Sequence, residues 1–188
     1  MIVKGKTLHD AWKGTVQMRI LGIDPGYAIV GFGVVDYAGS DFLTRGYGAI
    51  TTQAGMCFAT RLVSIYDDLS TLFRQYQPNC IAIERLYFTS NQKTVIDVSQ
   101  ARGVIVLCAE QHDIPLYEYT PLQVKQAVVG YGKAEKMQVM DMTKRILKLS
   151  QIPKPDDAAD ALALAICHGH CATGVQLQEQ TIGTGDTV

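Results

Sequence analysis

The alternation of apolar and polar positions divides the chain into ten segments. Residues 19–24 (RILGID) read as a buried strand that stops at Pro25-Gly26. Residues 28–36 form a second strand whose glycines suit close approach of another backbone. A turn follows at 37–40, and residues 42–51 make a third strand, so the first three strands are expected to run as an antiparallel meander. Across 56–76 the apolar groups Leu62, Ile65, Tyr66, Leu69, Leu72, Phe73 and Tyr76 recur at helical spacing, with Pro78 beyond the end. Residues 80–83 are a short central strand that delivers Glu84 at its carboxyl end. The segment 91–112 reads as a long helix, apolar all round between Gly103 and Ala109. Such a helix is expected to be covered on two sides. The sheet is one cover and the second is something else, the helices of 121–150 being one candidate. Residues 115–119 give a fifth strand. Thr120 caps a helix with Pro121 at its first position, and this helix stops at Gly130-Tyr131-Gly132. Two more helices are expected at 134–149 and from 156 to 169.

The order of elements predicts one α/β domain with a mixed five-stranded sheet, its first three strands antiparallel, flanked by helices. Its limits are read as residues 18–170. Residues 1–17 are a polar leader, expected to be flexible. Residues 171–188 are a tail rich in Thr, Gly and Gln, expected to be disordered. A chain of 188 residues supports one substantial core, and 47% hydrophobic residues excludes a disordered or fibrous class.

No run approaches the ~20 apolar residues of a membrane span, and the leader lacks the apolar stretch of a secretory signal. Five cysteines, an odd number without a CxxC pair, fit a reduced compartment. The cytoplasm is the expected location, with no membrane partner.

A net charge of −1 argues mildly against nucleic acid. The total hides a basic stretch. Between 121 and 150, Lys125, Lys133, Lys136, Lys144, Arg145 and Lys148 face only Glu135 and Asp141, a local surplus of four. That stretch is either a nucleic-acid flank or a solvated helical pair.

Four carboxylates stand at positions where separate elements could converge. Asp24 ends the first strand and Glu84 the fourth. If these strands are neighbours, the two groups lie side by side. Asp157 and Asp160, three apart, share one face of the last helix within its first turns, where the helix dipole favours anions. Singly, Asp24 reads as a turn residue and Asp157 and Asp160 as helix caps. Glu84 closing an apolar strand wants a partner. Four clustered anions repel one another, and Mg²⁺, a cation of oxygen ligands, would relieve that repulsion. The run Cys167-His-Gly-His-Cys171 offers four potential zinc ligands, but adjacent helical residues point in different directions, which disfavours a tetrahedral site.

Several of these segments carry a family likeness. LGIDPG and GFGVVD within 21–36, IER-YF at 83–88, Gln100-Ala-Arg-Gly103, QVKQAVVGYGKAEK at 123–136 and DDAADALALAICH at 156–168 resemble the RuvC Holliday junction resolvases. The likeness covers residues 18 to about 170. It implies an RNase H-like fold and a homodimer built partly on the helix of 91–112. It implies two Mg²⁺ ions per site, with Mn²⁺ as a substitute, and paired symmetric nicks in a four-way DNA junction leaving 5′-phosphate and 3′-hydroxyl ends. It also implies work beside a RuvA/RuvB-type branch-migration complex. By the same resemblance Asp24, Glu84, Asp157 and Asp160 are the metal-binding catalytic set. Lys125 and Lys136 are DNA or scissile-phosphate contacts, joined by Lys133 in the same basic stretch. Tyr87 and Phe88 match an aromatic pair that stacks at the junction centre. Two other classes compete: a nucleotide-binding ATPase of the same distant fold, which would need a longer, two-domain chain, and a protein that binds junctions without cutting them.

Overall fold

The computed structural model describes residues 18–86 and 92–174. The leader of 1–17, the aromatic pair Tyr87 and Phe88, and the tail from 175 lie outside the described residues. The elements are β1 (Met18–Asp24), β2 (Ile29–Ala38), β3 (Asp41–Thr51), α1 (Phe58–Tyr76), β4 (Cys80–Glu84), α2 (Gln92–Gln111), β5 (Leu116–Tyr119), α3 (Pro121–Val129), α4 (Lys136–Ile146) and α5 (Asp156–Gly174). All ten expected elements are present.

The sheet has the order β3-β2-β1-β4-β5. β1, β2 and β3 pair antiparallel, whereas β1–β4 and β4–β5 are parallel. Both faces of β1 and β4 are covered, which explains why their sequences run apolar without alternation. On one face Leu21, Ile23, Phe32, Ile81 and Ile83 pack against Ile65, Leu69 and Leu72 of α1 and Ile105 of α2. On the other, Ile20, Val35 and Ala82 meet Leu162 and Ile166 of α5, with α3 and α4 outside it.

α5 crosses the sheet at backbone contact. A Cβ at Gly22 would overlap the carbonyl oxygen of Ala161, and one at Gly31 the carbonyl oxygen of Asp157. Only glycine leaves room for that approach.

Near the opposite edge Asp36 is fully buried. Arg19 Nε donates to its Oδ1 at 2.6 Å and Arg19 Nη1 to the Tyr76 carbonyl at 2.8 Å, while Arg45 holds the other carboxylate oxygen. Arg45 reaches it because Val34 pairs with Gly46 and Val35 with Thr44, leaving Arg45 as the extra residue of a bulge.

Two expectations need correction, and one alternative is excluded. The last helix does not stop at Gly169 but continues to Gly174, into the expected tail. Gly169 is there for space, since a Cβ would strike the rings of Phe42 and Tyr37. α4 is shorter than 134–149. Glu135 is its N-cap, with the Gln138 side chain accepting the Glu135 N–H at 2.8 Å, and beyond its end Lys148 adopts φ 53°. Finally, α2 does not run under the helices of 121–150, which lie across the sheet from it. α2 packs on α1 and the sheet, and leaves Ile96 and Leu107 more than half exposed. No described helix is long and apolar enough to cross a membrane.

Candidate active site

β1 and β4 are neighbours in parallel register, with Ile23 opposite Ile83. The next residues, Asp24 and Glu84, therefore end adjacent strands at the same level. Their parity along the strands is that of Gly22 and Ala82, which face α5. Asp24 also pairs with Gly31 across β1–β2, and the backbone of Asp157 lies over Gly31. The start of α5 is thus seated beside Asp24, and Asp160 follows one turn later.

The charges of the other three carboxylates all act on Asp24. The Asp24 carboxyl is pushed up to about 8, first by burial and then by the charges of Glu84, Asp160 and Asp157; Lys136 opposes the rise. Burial and then Asp160 push Glu84 upward, again against Lys136. Lys136 Nζ donates to Asp160 Oδ2 at 2.7 Å, and this bond raises the lysine further above its ordinary value. Among the described residues no three Asp, Glu, His or Cys side chains are drawn together into a ready cation cradle. The cation inside the cluster is the Lys136 ammonium.

Local sequence explains how the lysines arrive. Thr120 Oγ1 accepts the Gln123 N–H at 3.1 Å, and the Gln123 side chain accepts the Thr120 N–H at 2.8 Å. This capping box fixes the start of α3 and so the direction of Lys125. The cap at Glu135 places Lys136 first in α4.

A cleft of about 220 Å³ opens over the cluster, lined by Glu84, Lys125, Lys136 and Asp160 with walls of Pro121, Val124, Val139 and Leu164. Asp24 and Asp157 are not among its lining residues, and Lys133 is exposed outside it. The apolar wall was not singled out in the sequence, although Val124 and Val139 follow the helical apolar pattern.

Sequence reasoning also missed two ties behind the site. Arg102 of α2 pairs with Glu118 of β5. The Tyr119 hydroxyl and His168 Nδ1 are hydrogen-bonded at 2.7 Å, joining β5 to α5. The latter binds one of the supposed zinc ligands to the core. Burial drives His168 down to about 4.

The cleft thus brings carboxylates and lysines onto one surface. The model of one protein family, Crossover junction endodeoxyribonuclease RuvC, matches residues 20–168. The protein of that name from Caldanaerobacter subterraneus subsp. tengcongensis is 55% identical over 153 residues, 81% of this chain and 93% of its own length. The one from Alkaliphilus metalliredigens is 58% identical with the same coverage. The solved structure of T. thermophilus RuvC in complex with a Holliday junction substrate superposes with a TM-score of 0.80 at 31% identity, covering 84% of this chain and 96% of that one. The yeast mitochondrial Holliday junction resolvase Ydc2 shares the fold at a TM-score of 0.61 and 18% identity, over 86% of this chain and 81% of its own.

Proposed function

Since this chain belongs to the RuvC family of crossover junction endodeoxyribonucleases, we propose that it resolves four-way DNA junctions by a pair of symmetric nicks. Each nick is a hydrolysis that leaves a 5′-phosphate and a 3′-hydroxyl, in the service of recombination and repair. One observation carries this reading. β1, β4 and α5, distant in sequence, bring Asp24, Glu84, Asp157 and Asp160 into a single electrostatic unit on an RNase H-like sheet, beneath a cleft walled by Lys125 and Lys136.

The donor set fits Mg²⁺. All four groups offer hard oxygen ligands, and burial together with the charges of its three neighbours makes Asp24 hold its own charge poorly without a cation beside it. Asp24, Glu84, Asp157 and Asp160 would hold the ions. Bound Mg²⁺, or Mn²⁺ in its place, would supply an activated water and stabilise the leaving oxygen.

The chain's own residues supply binding and orientation. Lys125 and Lys136 meet the phosphate with charge-assisted hydrogen bonds. Lys136, shared with Asp160, can hold the scissile group against the acidic cluster. Pro121, Val124, Val139 and Leu164 give the cleft an apolar wall, which would strengthen charge interactions along it. Lys133, exposed outside the cleft, would meet a phosphate further along the strand. The exposed Ile96 and Leu107 of α2 support a homodimer. A two-fold dimer would set one site on each of two opposed strands.

The test is cleavage of an end-labelled synthetic four-way junction by the full chain, in Mg²⁺ and in EDTA, beside a linear duplex. Symmetric nicks on the junction in Mg²⁺ alone are expected. A mobility shift without nicking under all conditions would instead identify a protein that binds junctions and leaves them intact.

A further inference from the structure

Leu122 is 55% exposed and Tyr131 47% exposed, next to the cleft-lining Pro121 and Lys125 in one case and beside the α3–α4 turn in the other. Leu122 shares a face of α3 with Lys125, three residues on. Gly130, at φ 93°, ends α3 and turns the chain, so that Tyr131 stands out from the turn. The next residue, Gly132, sits so tightly on Leu122 that a Cβ there would overlap the Leu122 side chain. The segment that carries Tyr131 therefore folds back beside Leu122, and the two exposed side chains form one apolar ridge on neighbouring parts of the surface. Met137, 61% exposed, follows Lys136 on the first turn of α4. Around this ridge stand Lys125, Lys133 and Lys136, against the single carboxylate of Glu135 in 121–137.

An apolar ridge between cations matches a ligand with the opposite layout, apolar surface between two rows of anions. The minor groove of duplex DNA has it, because deoxyribose carbons line the groove between the phosphate backbones. Resting on the nuclease reading above, we propose that Leu122 and Tyr131 seat in the minor groove of a duplex arm next to the cleaved strand, with Lys133 on a flanking phosphate. The ridge grips an arm, not the crossover, so its contribution is the same on a junction and on a linear duplex.

The experiment measures dissociation constants of the full chain for a four-way junction and a linear duplex, in EDTA across a salt series, with hydroxyl-radical footprints of the bound junction. Tyr131→Ala with Leu122→Ala should weaken both substrates roughly five- to tenfold while leaving the salt slope unchanged. The same double variant should lose sugar protection on one arm. Tyr131→Phe should bind as the unaltered chain does, since the ring and not the hydroxyl makes the contact. Lys133→Ala should instead reduce the salt slope by about one. Unchanged affinity and footprint in the double variant, with unaltered thermal melting, would overturn the proposal. So would unchanged DNA binding with a changed molecular mass in solution, which would assign the ridge to a protein contact. If the unaltered chain binds DNA but never nicks a junction, the nuclease reading fails and the ridge stands.

Discussion

The backbone of Asp157 rests on Gly31, with no space for a side chain between them. Gly31 is the strand partner of Asp24, so one steric contact sets the separation between two of the four acidic groups. Gly31→Ala should lift the start of α5. About 1–3 kcal/mol of stability should be lost to overpacking, and cleavage should fall roughly a hundredfold through misplacement of Asp157 and Asp160. Thermal melting and single-turnover cleavage test this. Normal cleavage in a folded Gly31→Ala protein would show that α5 does not set the geometry.

Asp24→Asn removes a buried charge that its neighbours oppose, and alters shape little. Nicking should disappear, junction binding should persist, and the cation-free protein should melt a few degrees higher. Mg²⁺ should raise the melting temperature of the unaltered chain, because a ligand that binds only the folded state stabilises it, and should do little for the variant. An equal Mg²⁺ response in both proteins would remove Asp24 from the ion site.

On the proposed metal reading, an incoming cation would compete with Lys136 for Asp160. Lys136→Ala should therefore lower the Mg²⁺ concentration that gives half-maximal cleavage, even as the maximal rate falls about tenfold or more from the lost phosphate contact. The ion pair is exposed, so stability should change by less than ~0.5 kcal/mol. A raised Mg²⁺ requirement would contradict the competition.

Acid should weaken the fold through His168. Burial lowers it to about 4, below the ~6.5 of an unfolded histidine. Below pH 6.5 the unfolded chain takes up a proton that the folded one refuses. Stability therefore falls as pH drops from 6.5 towards 4, by an amount of order 3 kcal/mol. The groups that face the ring are Tyr119 and Tyr117, not carboxylates that could offset the charge. His168→Asn should flatten this part of the profile. Urea midpoints at pH 7 and pH 4.5 that decline equally in both proteins would refute the assignment.

Leu107→Glu places a charge on the exposed apolar side of α2 and should yield a monomer by sedimentation. That monomer should nick one strand of a junction at a time instead of resolving it. A dimer that survives the substitution would move the interface elsewhere.

Much of this was legible in the sequence because the determinants are local. The run from Arg19 to Asp24 before Pro25-Gly26, and Thr120-Pro121 before α3, each carry their own stop or start signal. Asp24 and Glu84 could be named because each ends an apolar run, and Asp157 and Asp160 because their spacing shares a helical face. What escaped depends on contacts across the fold. Gly169 looked like a helix end until the rings of Phe42 and Tyr37 explained it. The apolar surplus of α2 could not be assigned a side without knowing that α3 and α4 pack across the sheet. The hold of Lys136 on Asp160 joins residues whose intervening chain gives no hint of their meeting.

α5 follows every other described element along the chain, yet it carries two of the four acidic residues and packs beside the strands that carry the other two. Until it docks, β1 and β4 present only half a set. On the proposed reading, a chain in which α5 has not docked lacks Asp157 and Asp160 at the site and should leave DNA intact.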